Sequence, residues 1–507
     1  MFERTRRRNW RVRVDWRLSL SLVGTVLKWL VVPLLLPLAI AVYDGSDVVP
    51  FAATILTTAV VGAGLESLSD ERDLHAREAF LMVSLTWLAV AVVGALPMVL
   101  AGTGALAEPD NALFESMSGI TTTGATVMVD FSAHSRAVMM WRQLIQWLGG
   151  LGILVLATAI LSQLSVAGAQ LMETETQTRD VNKLTPRISE TAGILFRIYV
   201  GLTLAQVAVL YAFRLVGIAP EMTLYDAVAH AFTTISTSGF SPRPESIAAF
   251  SPAVQWAVIP FMAVGATSFV LIYLVLRGDT GRLSRSDEFR FYVGVLGFFS
   301  IAVAAVLTLD ATFPGNVEAT VRHSVFQVVS ITTTTGYAST DFDLWSASAK
   351  HLLFVCMFIG GMAGSTTCSI KALRWLVVLK AFRRDLFVAG HPEVVRPVRL
   401  SGRVVDEQTI RDMYAYTLVS LMFFIAATIF VVMDTSRVGF RIGEFEAMGA
   451  AAATFFNVGP GFGVAGPFES YETFPTTTKL AMTALMWVGR IEIIPVLVVL
   501  TPSYWLS

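Results

Sequence analysis

Residues 112–127 read ALFESMSGITTTGATV. About a dozen small or apolar residues run into three threonines, then Gly124, then a small residue. The pattern returns three times: DAVAHAFTTISTSGFS at 226–241 with Gly239, RHSVFQVVSITTTTGYAS at 322–339 with Gly336, and FEAMGAAAATFFNVGPGFG at 445–463 with Gly459. The glycines are 115, 97 and 123 residues apart. A self-similar unit of this size outranks any single motif as a guide to architecture. Each apolar stretch is too short to cross a bilayer and runs into glycine and hydroxyl residues, which describes a re-entrant loop.

The surrounding chain agrees. Of 507 residues, 54% are hydrophobic and 15% are charged. Soluble domains carry about 25% charge. This composition excludes a soluble enzyme and a disordered, collagen-like or nucleic-acid-binding protein. Runs of about 20 apolar residues fall near 18–43, 49–66, 79–101, 138–164, 190–216, 252–277, 289–309, 348–380, 411–433 and 477–500. Ten spans are expected, with one short apolar stretch inside each of four long connections. With an Arg-rich N-terminus inside, the inner segments hold 25 basic residues against about eight outside. That asymmetry puts both termini in the cytoplasm of a multi-pass cell-membrane protein. Cys356 and Cys368 lie roughly 18 Å apart along a helix, beyond disulfide reach.

The expected fold is all-α and polytopic: four span–pore-helix–loop–span repeats with pseudo-fourfold symmetry around one pore, preceded by a two-span hairpin. The corresponding divisions are 1–78 for the Arg-rich segment and hairpin, then 79–164, 165–277, 278–380 and 381–507 for the repeats. The last includes a cytoplasmic linker.

Four such loops suit a dehydrated cation. Potassium sheds water only where carbonyl oxygens replace it. Glycine permits the positive φ that turns successive carbonyls to one side, and each short helix aims its negative C-terminal end at the ion. The candidate ligands are the carbonyls of Thr122, Thr123, Gly124, Thr237, Ser238, Gly239, Thr334, Thr335, Gly336, Asn457, Val458 and Gly459. A single T-T-T-G is also an ordinary helix C-cap; four copies, each between two spans, favour the filter. The loops differ, with Ser238 in the second and Asn457, Val458 and Pro460 in the fourth. Discrimination against sodium is therefore expected to be less stringent than in a strictly fourfold filter.

The region 348–380 is too long for one crossing and is interrupted by Gly360, Gly361, Gly364, Ser365, Thr366 and Thr367. Such residues suit either a broken helix that blocks the pore or a close helix-packing site. Arg490 lies inside the last span; a charge there costs at least about 2.5–3.5 kcal/mol, so it faces the interior. It is either a barrier to cations below the filter or a structural anchor. Glu492 is two residues on, the wrong spacing for a helical pair. His230 reads as a packing residue, and Glu115 and Asp226 as buttresses, with Glu115 alternatively a proton carrier. Arg197 and Arg214 lie near the ends of their span and receive no role. The stretch 381–411, with Arg383, Arg384, Arg396, Arg399 and Arg403, is either a docking surface or an ordinary positive-inside loop.

FESMSGITTTGAT, WRQLIQWLGGLGILVLATAIL at 141–161, KLTPRISETAGILFRIYVGLT at 183–203, GGMAGSTTCSIKALR at 360–374 and MWVGRIEIIPVL at 486–497 resemble the pore-forming subunits of Trk-type potassium-uptake systems, in the Trk/Ktr/HKT superfamily. The resemblance covers nearly the whole chain. It implies a homodimer with one pore per protomer, an extra N-terminal hairpin, and a cytoplasmic nucleotide-binding RCK-type regulatory subunit. It also favours the gate reading of 360–367 over simple packing. One departure stands out: the family's G-S-T-x-G-G-I-K has Cys368 and Ser369 here where glycines are common.

The expected function is potassium uptake, with potassium as substrate, no covalently bound cofactor and no nucleic-acid partner. The alternative is a less selective or sodium-permeable cation transporter coupled to protons. HExxH, P-loop and G-x-S-x-G motifs are absent from the sequence, which argues against an enzyme. Four repeats argue against a carrier built from two.

Overall fold

The computed structural model describes residues 14–70, 74–163 and 188–505. Most of the N-terminal arginine cluster, most of the basic loop at 165–190 and the expected division at 164/165 lie outside these residues. Among the described residues the chain is helical apart from loops and one two-stranded hairpin, Arg399–Leu400 against Arg403–Val404.

The repeats follow one plan. Outer spans are Ala76–Ala101, Ile188–Leu215, Asp287–Leu309 and Glu407–Arg437. Each is followed by a short helix: Pro109–Ile120, Leu224–Ile235, Val317–Thr332 or Glu444–Phe455. These pore helices start where their sequences provide caps. Pro109 occupies the first turn, Thr223 and Asp226 form a reciprocal capping box, and Asn316 accepts from Ala319 N. Such caps satisfy amides that no intrahelical carbonyl reaches. The inner spans begin at Arg136, Pro252, Ala347 and Thr476.

Burial separates the two layers. In the most apolar window, Arg136–Val155 is 67% buried and Asp287–Leu309 is 22% buried. The first is an inner wall. The second shows Phe298 and Ile301 outward, as a lipid-facing helix does. Apolar clusters fill the joints between neighbouring repeats. Tyr199, Ile235 and Phe269 pack with Leu154 between repeats one and two; Val254 and Val258 meet Phe326 between two and three; Phe342 and Leu353 meet Phe455 and Phe456 between three and four.

Two of the ten expected spans are bent where a continuous helix was expected. Among the described residues seven helices are long and apolar enough to cross, or up to nine if two bent pairs count as spans. Pro252–Gly265 turns by 102° into Phe269–Leu276, and Thr476–Arg490 turns by 113° into Ile494–Leu500. The spans expected at 252–277 and 477–500 are thus broken. The one at 348–380 is the helix Ala347–Cys356, an irregular segment, and the helix Ala372–Gly390. The breaks persist because the freed backbone finds partners: Ala266 O accepts from Met362 N at 2.9 Å, and Phe269 N donates to Gly364 O at 3.0 Å. Apolar content alone does not register such breaks.

The N-terminal hairpin, Trp16–Asp44 with Val48–Glu66, crosses on glycine. A Cβ on Gly24 would stand 2.6 Å from Gly62 O and 2.5 Å from Glu66 N, closer than real side chains come. Lys28 and Glu66 pair at 2.5 Å beside this contact. Gly24→Leu is expected to force the two helices apart at a cost of about 1–3 kcal/mol. The measurement is a lower melting temperature in detergent, with potassium flux per folded molecule retained, since the hairpin lies outside the ring of repeats.

Candidate functional site

The four pore helices end alike. The residue after the last turn (Thr121, Ser236, Thr333 or Phe456) stays close to helical, with φ from −87° to −77°. The next (Thr122, Thr237, Thr334 or Asn457) enters the left-handed region at φ 51–54°. The amides of Thr123, Ser238, Thr335 and Val458 then bond back to Ser118, Thr233, Ser330 and Ala453 carbonyls at 2.8–2.9 Å. Gly124, Gly239, Gly336 and Gly459 follow with φ 85°, 79°, 77° and 102°. The first part is a helix C-cap of the Schellman kind. The cap and the glycine turn are therefore successive parts of one loop. A threonine at positive φ costs about 1–2 kcal/mol; strain repeated at equivalent positions marks a functional backbone.

The loops close on one another. A Cβ on Gly124 would fall against Ser238 O, one on Gly239 against Thr335 O, one on Gly336 against Val458 O, and one on Gly459 against Thr123 O, all under 3.0 Å. Loop one touches two, two touches three, three touches four and four touches one. All four glycines line one cavity, with Phe240, Pro460 and Tyr471 in its wall. The four loops that carry the twelve expected ligand residues are thus brought together in one ring of contacts.

Side chains hold the ring from behind. Hydroxyl pairs bridge the positions flanking each left-handed residue: Thr121 with Thr123 at 2.8 Å, Ser236 with Ser238 at 2.5 Å, and Thr333 with Thr335 at 2.7 Å. The fourth loop has Phe456 and Val458 there, in an apolar cluster. Gln146 Nε2 donates to Ser238 O at 2.8 Å, and Tyr471 Oη donates to Gly459 O at 2.9 Å. Two candidate ligand oxygens are therefore partly engaged by side chains. Tyr337 Oη reaches His230 O at 3.1 Å and also meets Thr233.

The acidic residues act as buttresses. Glu115, fully buried, pairs with Arg142 at 2.6 Å and accepts from Thr126 Oγ1 and Val127 N at 2.9 Å each. Asp226 pairs with Arg243 at 2.8 Å. His230 donates from Nδ1 to Asp226 O at 2.8 Å and meets Ser241 Oγ at 3.0 Å, as a packing histidine does.

Below the ring lies the segment between Cys356 and Ala372. Thr366 Oγ1 sits 3.0 Å from Thr237 Oγ1 and donates towards Gly265 O at 3.0 Å. Cys368 N donates to Thr334 Oγ1 at 3.1 Å. Ser365 Oγ bonds Met362 O at 2.6 Å and meets Thr367 Oγ1 at 2.8 Å. Gly360 N bonds Ile370 O at 2.9 Å, and a Cβ on Gly361 would meet Ala266 O at 2.6 Å. Gly364 has φ 75°. The small residues thus pack closely and also carry the loop against two of the glycine loops, at Thr237 and Thr334. Ser369 adopts φ 62°, a conformation that favours glycine, and its Oγ donates to Met357 O at 2.7 Å.

Arg490, 1% exposed, donates from Nη1 to Thr366 O at 2.9 Å and to Cys368 Sγ at 2.8 Å, and from Nη2 to Gly149 O at 2.9 Å. Glu492 turns out at φ 65° and pairs with Arg374 at 2.6 Å. Lys371 is buried and donates to Thr367 O and Thr367 Oγ1. Sequence reasoning missed Lys371, Arg374, Arg142 and Gln146. The available signal was the same for each: a polar or charged residue inside an apolar span. Arg197 and Arg214 bond local carbonyls, Gly193 O at 3.2 Å and Pro220 O at 2.7 Å. Both cysteines are free and buried.

Residues 49–506 match the family model described as TrkH, cation transport protein. The Trk system potassium uptake protein TrkH of Escherichia coli is 33% identical over 461 residues, covering 90% of this chain and 92% of that protein. TrkH of Halomonas elongata is 34% identical over 502 residues, covering 96% and 99%. The crystal structure of the potassium transporter TrkH from Vibrio parahaemolyticus superposes with a TM-score of 0.86 at 30% identity, covering 97% of this chain and 100% of that one.

Glu115→Gln leaves the Arg142 charge buried and unpaired. A loss of about 3–5 kcal/mol is expected, read as a fall in melting temperature by intrinsic fluorescence. Arg142→Met combined with Glu115→Gln is expected to recover part of it.

Proposed function

Because the chain belongs to the TrkH cation transport protein family, we propose that it takes up potassium across the cell membrane, through the ring formed by its four glycine loops. It is a multi-pass membrane transport protein and not an enzyme. The observation that carries the reading is the cyclic contact of Gly124, Gly239, Gly336 and Gly459 with the carbonyls of the next loop. That contact brings backbone oxygens from four repeats to one axis, the arrangement that substitutes for a potassium hydration shell.

The four quadrants contribute unequally in this reading. Ser238 O and Gly459 O already accept side-chain hydrogen bonds, so they offer weaker ligands than their counterparts. Selectivity for potassium over sodium follows, below that of a ring of four identical loops. Glu115 is fully engaged by Arg142, Thr126 and Val127, which speaks for a structural carboxylate over a proton carrier.

The loop at 357–371 is the gate. It is bonded to the underside of loops two and three, and Arg490 is bonded to it. Arg374 pairs with Glu492 and also lies near the buried Glu288, while Arg490 and Lys371 bond carbonyls of the loop. The net positive charge in a low-dielectric setting repels a cation that has passed the filter. Opening moves the loop away and takes Arg490 off the path. Arg383, Arg384, Arg396, Arg399 and Arg403, on the segment carrying the β-hairpin, form the docking face for an RCK-type cytoplasmic regulatory subunit. Both termini lie in the cytoplasm, and the protein works as a homodimer with one pore in each protomer.

Ion flux in proteoliposomes tests both parts. Gly336→Ser would drive a side chain into Val458 O and is expected to lower the potassium-to-sodium permeability ratio; an unchanged reversal potential refutes the filter. Arg490→Ala is expected to raise cation flux several-fold in folded protein; equal or lower flux refutes the barrier.

A further inference from the structure

The four loops leave the ring with unequal lengths. Each runs into a short helical turn that ends three residues before its inner span begins: Phe131–Ala133, Ser246–Ala249, Phe342–Leu344 and Tyr471–Thr473. The first three turns start six or seven residues after Gly124, Gly239 and Gly336. The fourth starts twelve residues after Gly459, and the added chain carries a turn of its own, Gly463–Ala465. This insertion is tied down. Gly461 N donates to Ala465 O at 2.6 Å, Gly466 N to Gly463 O at 2.8 Å and Glu469 N to Gly466 O at 3.2 Å. Phe462 is buried in an apolar cluster. Tyr471 fixes the far end, with its amide on Thr126 O and its hydroxyl on Gly459 O.

The insertion places Gly466, Pro467 and Glu469 in the wall of the cavity that the four glycines share. The rest of that wall comes from residues at or after the glycines, whereas the gate loop touches Thr237 and Thr334, which precede them. The cavity is therefore the mouth on the side away from the gate loop. Three charged residues line it: Arg142, Arg243 and Glu469. Two arginines make a poor lining for a cation's way in, but each is offset from behind. Arg142 pairs with Glu115 at 2.6 Å, and Arg243 pairs with Asp226 at 2.8 Å. Glu245 lies near Arg243 but outside the wall, and Asp343, beside Gly466, pairs with Lys350 at 3.5 Å. Glu469 is exposed, and among the described residues its carboxylate enters no ion pair or hydrogen bond. The wall is thus left with one uncompensated charge, and that charge is negative.

We infer that Glu469 is the entry residue of the pore: the insertion in the fourth loop holds its carboxylate over the mouth, where it draws cations out of solution towards the ring. The inference rests on the filter reading above and adds the group that feeds the filter. A fixed charge at the rim of a cleft with low-dielectric walls focuses its field along the opening and raises the local concentration of counter-ions. An exposed carboxylate leaves the ion its water, so it acts on potassium and sodium alike, and discrimination stays with the carbonyls. One carboxylate also suits conduction, which needs an ion held weakly enough to move on.

The test is initial potassium uptake against potassium concentration in proteoliposomes of the full chain, at low ionic strength and again with added choline chloride. Salt shortens the reach of an exposed charge from about 30 Å at 0.01 M to about 10 Å at 0.1 M. Glu469→Gln is expected to raise the half-saturating concentration about two- to threefold at low ionic strength, with maximal rate and melting temperature retained. Added choline chloride is expected to shrink that difference. Glu469→Asp is expected to behave as the parent, and Glu469→Lys to exceed Glu469→Gln. The potassium-to-sodium permeability ratio stays unchanged in all three. An unshifted half-saturation in Glu469→Gln at low ionic strength, a shift that salt does not reduce, or an altered permeability ratio overturns the entry role. The filter is judged separately. A lost potassium preference in Gly336→Ser beside an inert Glu469→Gln sinks this inference alone. An unchanged preference in Gly336→Ser beside a salt-sensitive shift in Glu469→Gln sinks the filter and leaves the mouth.

Discussion

Four glycine α-carbons lean on four carbonyl oxygens, each belonging to the next loop around an axis. No side chain fits between these backbones, so the contact fixes residue type at four places far apart in the chain. It also fixes conformation. Each loop needs two residues at positive φ, and in every loop the first is a threonine or an asparagine. Backbone held in this way persists only when its surroundings over-determine it. The hydroxyl pairs, Tyr337, Tyr471, Gln146 and the Glu115–Arg142 pair provide that support from behind the ring. Much of the buried polar chemistry in the membrane interior serves to hold these four turns.

The same economy explains the broken inner spans. A helix that stops in mid-membrane leaves carbonyls unsatisfied, and lipid offers no donor. At the second repeat the gate loop supplies donors: Met362 N to Ala266 O and Thr366 Oγ1 to Gly265 O. At the fourth the chain leaves the helix through Glu492 and Ile493, both at positive φ, and Glu492 finds Arg374 across the interface. The break and the loop that caps it are therefore one construction. If the loop leaves, the carbonyls it caps need water, and water arrives only with an open cavity.

The outline was legible from the sequence because repetition survives divergence. TTTG, STSG, TTTTG and NVG stand at matching places between spans, and that register is enough to call the ring. The two sharp bends were not legible: VGATS differs little in apolarity from the helices it interrupts, and the charges of GRIEI were read as a buried arginine within a continuous span. The pairing of Glu492 was hidden for a related reason. Helical spacing ruled out a local partner, and its actual partner Arg374 lies 118 residues away. Lys371 was visible as a lysine after an apolar segment. Only the fold shows that it is buried beneath the filter with its ammonium on Thr367 O. Glu115 was read as a buttress or a proton carrier, and its three partners, Arg142, Thr126 and Val127, favour the buttress.

A ring made from one chain has a seam, because the last repeat must meet the first without a short covalent connection. Polar cross-links concentrate there. Asn457 Nδ2 reaches Thr123 Oγ1 across 334 residues, and Tyr471 N donates to Thr126 O at 2.9 Å. Thr476 Oγ1 donates to Asp110 at 2.9 Å, and Lys479, only 5% exposed, pairs with the same carboxylate at 3.3 Å and with Asn111 Oδ1. The fourth loop's departures then acquire a physical reason. Phe456 and Val458 replace the hydroxyl pair with apolar packing, and the amide of Asn457 becomes the clamp that closes the circle. A threonine there would match the other quadrants, but its hydroxyl has a single proton and is too short to span Thr123 Oγ1 and Met486 O together. The asymmetry of the ring is thus a consequence of closing four quarters from a single polypeptide.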